Sequence, residues 1–463
     1  MKQKVNLSFG TEKIELSIDN ERLGCEPIAP KSMDKVLEKS PGETIFRVLN
    51  NPVGSPGLHS MVESKRVALI VSDEFRSGLH EEILDALIGE ISHGKPSKLT
   101  VLCATGTHDP DIYTPNIRKW AEAASSKHNQ PIEFIEHDCD DPNLIHIGTT
   151  SRGTPVILEP SWLQAEVRVF GHESKHHYMA GYSSVLKHVV PGISARSTVE
   201  ANHKLALDND SKAGQHPLHP DVTRRKNPFS EDALEALEMA LSKTLNEDGV
   251  LASKPARAFL LDMISDKKVI FFAEAGDYRK VTSHTIEAAD NQAMFEVPKS
   301  KYVVVSPGGP PASTALYGVQ NCFDMALLGA IEAGGEALVL GPCNGRPGVD
   351  PDVKGLAPDR KSKKLFWDTL VRLKEKSLDE CFKEIDENFQ LYLWKTWRVL
   401  RLFKRDRIKI WIHGELAPQI LAKGGFLHAP DPQEWIDKRV ARKDGKFTII
   451  DNGNKLLVRG KPA

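Results

Sequence analysis

The stretch RVALIVSD (66–73), followed by HEEILDALIGEI (80–91) and KLTVLCA (98–104), decides the fold. A short apolar run, a helical period and a second short apolar run together read as parallel strands covered by helices on both faces. The alternation continues through IRKWAEAASS (117–126), PIEFIEHD (131–138), GTPVILE (153–159) and AEVRVFG (165–171). A proline- and charge-rich excursion from Leu207 to Asn227 then leads into SEDALEALEMALSKTL (230–245), which reads as an amphipathic helix with Ser230 as its N-cap. A second strand series, KVIFFAEAGD, YVVVSPGG, ALVLGPCNG and IKIWIHGE, begins near Lys267.

The expected architecture is α/β, with two α/β domains built on mainly parallel sheets and an active-site cleft between them. The reading divides the chain into residues 1–265, a second α/β domain over 266–430, and a tail over 431–463. That tail holds a helix (PQEWIDKRVA), a turn at Asp444-Gly445 and a strand (FTIID), with either domain open to it as a partner.

Composition narrows the function classes. A chain of 463 residues with 27% charged residues and a net charge of -2 has neither the basic excess of a nucleic-acid binder nor the bias of a disordered protein. Six cysteines, at 25, 103, 139, 322, 343 and 381, form no CxxC pair, which argues against a disulfide framework or an all-thiolate metal site. The amino terminus alternates polar and apolar residues without a signal-peptide core, and no run reaches membrane-spanning length. The expectation is a cytoplasmic protein with no membrane or nucleic-acid partner.

In open α/β sheets the loops leaving the carboxyl ends of the strands line the ligand crevice. Here those loops are polar: Asp73, Glu74 and Arg76 after the first strand, Thr105 to Asp109 after the second, His172, Lys175, His176 and His177 after VRVFG, and Gly308 and Gly309 after VVVS. His108 follows Gly106 and Thr107 in a turn, a setting suited to general acid-base work near neutral pH. Arg76 has the planar fork that grips a carboxylate or phosphate. Gly181, Ser183 and Ser184 offer backbone N–H groups to a phosphate, with Lys187 beside them as cation or nucleophile. From the residues alone the reading is a small anionic ligand and a metal, with no named reaction.

Seven stretches in order sharpen this reading: NPVGSPGL (51–58), SDEFRSG (72–78), ATGTHDP (104–110), HDCDDPNLIHIGTTSRGTPV (137–156), GHESKHHYMAGYSS…LKHVVPGISARSTVEANH (171–203), AGDYRKVTSH (275–284) and SPGGPPASTALYG (306–318). In these the chain resembles the nickel-dependent lactate racemases and their 2-hydroxy-acid racemase and epimerase relatives. The resemblance implies a nickel-pincer nucleotide, a pyridinium-3,5-bisthiocarboxylic acid mononucleotide carrying nickel. It is covalently attached at Lys187 and held by Asp73, Arg76, Gly181, Ser183, Ser184, Gly308 and Gly309, with His203 completing the metal coordination. His108 and His177 are implied as the two acid-base groups that serve C2 inversion by hydride transfer, and Arg76 as the anchor of the carboxylate. Cofactor-synthesis enzymes are implied as partners.

Two departures bear on the ligand. Ser183-Ser184-Val185-Leu186 replaces the Ser-Gly-Gly-Arg common before the modified lysine, which removes a cation near the expected phosphate. After Tyr317, Gly318 and Asn321 stand where the family carries glutamine and lysine, so a second cation near the carboxylate is missing. Gly318 is expected to open space and Asn321 to add hydrogen bonding, which suits a 2-hydroxy acid larger or more hydroxylated than lactate, with Tyr317, Gly318 and Asn321 against it. Trp367 and Lys395 read as core or surface residues, with a contribution to the site from the second domain as the alternative. The competing readings are a hydrolase or lyase with an ordinary divalent metal on some of His108, His172, His176, His177 and His203, and a non-catalytic ligand-binding relative.

Overall fold

The computed structural model describes residues 2–31, 40–74, 78–266 and 268–461. Its first sheet has six strands in the order Val269–Gly276, Arg257–Asp266, Val167–Glu173, Arg66–Ser72, Lys98–Ala104, Glu133–Glu136. All neighbours are parallel except the first pair. Both faces of the central strand are covered, as its apolar run requires. Val67, Leu69 and Val71 join a core under helices His80–His93 and Pro115–Lys127, while Ala68 and Ile70 face a core with Trp162, Leu186 and Leu237.

The second sheet is wholly parallel, in the order Leu427–His428, Lys409–His413, Ile331–Leu340, Ser300–Val305, Phe447–Ile450. The tail thus belongs here: strand Phe447–Ile450 forms its edge, and helix Pro432–Arg442 packs Trp435 and Ile436 against Tyr302 and Leu338. The antiparallel hairpin Lys2–Phe9 and Glu12–Asp19 covers the same face, through Leu7, Leu16 and Ile18.

Three expectations are corrected. A boundary at 265 would cut between Arg257–Asp266 and Val269–Gly276, two hydrogen-bonded strands of the first sheet. KVIFFAEAGD is therefore the antiparallel edge of that sheet and not the start of the next. GTPVILE lies outside the main sheet: Pro155–Leu158 pairs with strand Ile145–Thr149, and Leu158 also bridges to Ser194. Helix Pro228–Leu241 is capped by Asn227, whose side chain accepts from Ser230 N, with Pro228 at the first helical position, where its missing N–H costs no bond.

The two sheets stand on either side of a cleft crossed by helix Leu393–Lys404. Trp394 Nε1 donates to Tyr178 Oη at 3.1 Å and Trp397 Nε1 to Leu207 O at 2.9 Å. Arg398 donates to Asp324 Oδ1 at 2.9 Å on its own side and to Ser211 O at 2.5 Å on the other. Among the described residues no helix is long and apolar enough to cross a membrane.

Candidate active site

The loops leaving three adjacent parallel strands supply most of the chemistry. Arg66–Ser72 delivers Asp73. Lys98–Ala104 runs into a turn in which Gly106, at φ +60°, donates to Gly192 O at 3.0 Å and His108 N donates to Thr105 O at 3.1 Å. Val167–Glu173 continues into the ribbon Lys175–His177, paired with Gly181–Ser183, so that His177 lies opposite Gly181. Lys187 sits in the short helix Leu186–Val189 and His203 near the end of helix Arg196–Lys204.

These residues converge on one cavity of about 810 Å³. His108, His177, Lys187 and His203 line it from the first half, and Tyr317, Gly318, Asn321, Trp394 and Lys395 from the second. The expected cleft between two α/β units is thus where the sequence-derived residues meet.

Each imidazole is held by a specific partner. His108 Nδ1 is 2.6 Å from Asp73 Oδ2, and Asp73 is buried. A carboxylate accepts only, so Nδ1 carries the proton and Nε2 the lone pair. His203 Nδ1 donates to Val199 O at 2.8 Å, which makes its Nε2 the lone-pair nitrogen and the candidate metal ligand. The ring is wedged between Phe229 and Trp394, at 5.0 and 5.3 Å between centroids.

His177 differs. Its Nδ1 accepts from Ala180 N at 3.2 Å and, more weakly, from Met179 N at 3.4 Å, while its Nε2 is 2.9 Å from Lys187 Nζ. With Nδ1 accepting, a neutral ring bears its proton at Nε2, so the contact suits an uncharged Lys187 amine. That is the nucleophilic form of lysine.

Other expected residues fall elsewhere. Asp73 orients His108 and does not line the cavity. Gly181, Ser183 and Ser184 do not line it either. Gly181, at φ +77°, is required because a Cβ there would overlap the Gln215 carbonyl, and Ser184 Oγ is 3.1 Å from His216 Nε2. Gly308 and Gly309 pack against Asn452 and Gly10 at the other side of their loop. Arg76 lies outside the described residues. Trp367 is a core residue stacked on Phe426, as expected.

Gly318 lines the cavity but opens no pocket, since a Cβ there would come within 2.8 Å of Ala312 O. The Pro311–Ala312 backbone occupies the space that a side chain would take. Lys395 is the larger correction. It is a cavity-lining residue, 2% exposed, with Nζ 2.6 Å from Asn321 Oδ1. Burial pulls its pKa down to about 7, against the pull of Asp324.

The excursion from Leu207 to Asn227 closes the wall behind His176. His176 Nε2 (2.9 Å), Tyr182 Oη (2.6 Å), His219 and Arg224 all surround the Asp290 carboxylate. Burial alone would raise the Asp290 pKa, yet these hydrogen bonds hold it well below the usual carboxylate range. His172 is paired with the buried His188 at 2.7 Å. Among the described residues, the five candidate histidines bring no three ligand atoms close enough to share an ion; the group that does so is Asp138, Cys139 and Asp140, and Asp140 there is bound by Arg196.

Residues 9–214 match the family described as the lactate racemase N-terminal domain. The similarity to curated lactate racemases extends over the rest of the chain. It is 24% identical to the lactate racemase of Lactiplantibacillus plantarum, covering 98% of this chain and 99% of that one. The lactate racemase of Thermoanaerobacterium thermosaccharolyticum is also 24% identical, with 99% of each chain covered. The fold is that of the lactate racemase apoprotein from Thermoanaerobacterium thermosaccharolyticum, at a TM-score of 0.77 and 21% identity over 99% of this chain and 100% of that one. A Thermotoga maritima protein is more distantly similar, with a TM-score of 0.56 and 14% identity over 91% and 97% of the two chains.

Proposed function

We propose that this chain is a racemase or epimerase of a 2-hydroxy acid that works with a nickel-pincer nucleotide tethered at Lys187. The observation that carries the reading is the convergence of His108, His177, Lys187 and His203 on one cavity in a chain similar to lactate racemases from end to end.

The residues fit such a group. Lys187 offers an amine poised by His177, and His203 offers an imidazole nitrogen with its tautomer fixed, a donor that suits nickel. When bound, the cofactor supplies an acceptor and donor for the C2 hydride. His108, with its proton held at Nδ1 by Asp73, takes the 2-hydroxyl proton at Nε2 from one enantiomer and returns it to the other. His177 does the converse. Two bases on separate strand-end loops are what inversion of one carbon requires, because the hydroxyl proton of each stereoisomer needs its own acceptor.

Asn321, Tyr317, Tyr178 and Lys395 make the substrate end polar and aromatic, which favours a 2-hydroxy acid larger or more hydroxylated than lactate. The test is protein produced alongside cofactor-synthesis enzymes, read by intact mass and by initial isomerisation rates on lactate, larger aliphatic and aromatic 2-hydroxy acids, and aldonic acids. An adduct lost in Lys187→Ala and turnover that follows nickel content are expected. Full activity in unmodified, nickel-free protein would end this reading; lactate as clearly the best substrate would end its substrate clause alone.

A further inference from the structure

Helix Leu393–Lys404 buries three cations, Lys395, Arg398 and Arg401, and the first two, which stand three residues apart, are treated differently. Arg398 is matched by the Asp324 carboxylate at 2.9 Å. Lys395, 2% exposed, meets only neutral oxygens through Nζ: Tyr317 O at 3.0 Å, Gln320 Oε1 at 3.1 Å and Asn321 Oδ1 at 2.6 Å. Its ammonium also lies over the rings of Tyr317 (4.3 Å) and Tyr178 (4.9 Å). Among the described residues no carboxylate lies within ion-pair distance of it, and Asp324 is already engaged by Arg398 and by Gln320 Nε2 at 2.7 Å.

An ammonium taken out of water without a counter-ion is costly, and an anion that reaches it relieves that cost. Lys395 lines the cavity, so an anion that enters there can reach its ammonium. We propose that Lys395 is a cation that binds the substrate carboxylate from the second half of the chain, held in place by Asn321 and Tyr317. This rests on reading the cavity as a 2-hydroxy-acid site. The placement agrees with the acid-base geometry: the His177 ring stacks on Tyr178 at 4.6 Å and 20°, and Lys395 sits over that same Tyr178 ring. A carboxylate on Lys395 therefore lies one aromatic ring from the imidazole that handles the hydroxyl on the adjacent carbon. The carboxylate displaces one of the three neutral acceptors and supplies the charge that none of them has.

Trp394, also in the cavity lining, gives a fluorescence signal for binding to the cofactor-free chain. Lactate, mandelate and gluconate are titrated against their neutral amides into the wild type, Lys395→Met, Lys395→Arg and Asn321→Asp. The last variant places a carboxylate beside Nζ and neutralises the cation without removing it. The expected result is acid binding weakened at least 30-fold in Lys395→Met and Asn321→Asp, weakened less than tenfold in Lys395→Arg, and amide binding unchanged throughout. In cofactor-loaded protein, KM rises by the same factor while kcat falls less than tenfold. Acids and amides binding alike to the wild type, no acid binding at all, or Lys395→Met binding acids within threefold of the wild type would each overturn the proposal. An enzyme that binds acids through Lys395 but isomerises none would instead remove the proposed function and leave this assignment standing. Isomerisation with an unchanged KM in Lys395→Met does the reverse.

Discussion

Asp73 Oδ2 lies 2.6 Å from His108 Nδ1, the carboxylate buried beneath the sheet end and the imidazole facing the cavity. This pair fixes which nitrogen of His108 carries the lone pair. Asp73→Asn can donate from its amide nitrogen and so allows the opposite tautomer, with the proton on Nε2. The expected outcome is a fall in kcat of about 100- to 1,000-fold with KM changed less than threefold. Steady-state kinetics in both reaction directions check it; a loss confined to KM would place Asp73 outside the acid-base machinery.

His203 is expected to carry the metal through Nε2. In His203→Ala, nickel measured by elemental analysis of protein made with the cofactor enzymes should fall at least about tenfold. The apo-protein should unfold about 1–2 kcal/mol more easily, because the ring packs between Phe229 and Trp394. Unchanged nickel with lowered stability would make the residue purely structural.

Lys395 has a pKa of about 7 in the fold against an ordinary 10.5. Below pH 7 it is protonated in folded and unfolded chains alike and the desolvation cost is fully present. Between about pH 7 and 10.5 the unfolded chain holds a proton that the folded one has shed, so this group makes stability rise with pH. Lys395→Met should be about 1–3 kcal/mol more stable than the wild type at pH 6, with the gap closing toward pH 10. Denaturant unfolding at the two pH values reads this directly; a gap independent of pH would contradict it.

Asp262 titrates in the opposite sense. Burial pushes its pKa up to about 7 from 3.8, even though Ser174 Oγ donates to it at 2.8 Å and Met263 N at 2.9 Å. Between about pH 4 and 7 the folded chain holds the extra proton, so this group makes stability fall as pH rises. Asp262→Asn keeps the acceptor and removes the charge. It should flatten that fall and gain on the order of 2 kcal/mol at pH 8. Equal pH profiles for wild type and variant would refute it.

The strand-end loops were legible in the sequence because short apolar runs followed abruptly by polar residues are a local pattern, and Asp73, His108 and His177 are each read from a few neighbours. What joins residues distant in the chain was not. The Asp73–His108 contact spans 35 positions and Lys395–Asn321 spans 74. Lys395 lies among Trp394, Trp397 and Leu400, where an apolar helix face masks a cavity-lining lysine. Gly181 and Ser184 resembled a phosphate loop, yet their backbone and hydroxyl serve Gln215 and His216, residues of an excursion whose return path no periodicity announces. The edge hairpin of the first sheet was missed for a related reason, since an apolar run does not declare which sheet it joins.

Helix Leu393–Lys404 joins two tasks in one rigid rod. Its Trp394, Trp397 and Arg398 reach across to Tyr178, Leu207 and Ser211, while Lys395, in the same turn, faces the cavity. The rod cannot retreat from the opposite wall without carrying its ammonium away. If Lys395 holds the acid, separating the halves and losing that anchor would be one event, and an acid that favours the anchored arrangement would also favour a closed chamber. Affinity and enclosure are reciprocal in such a molecule: whatever tightens one must tighten the other.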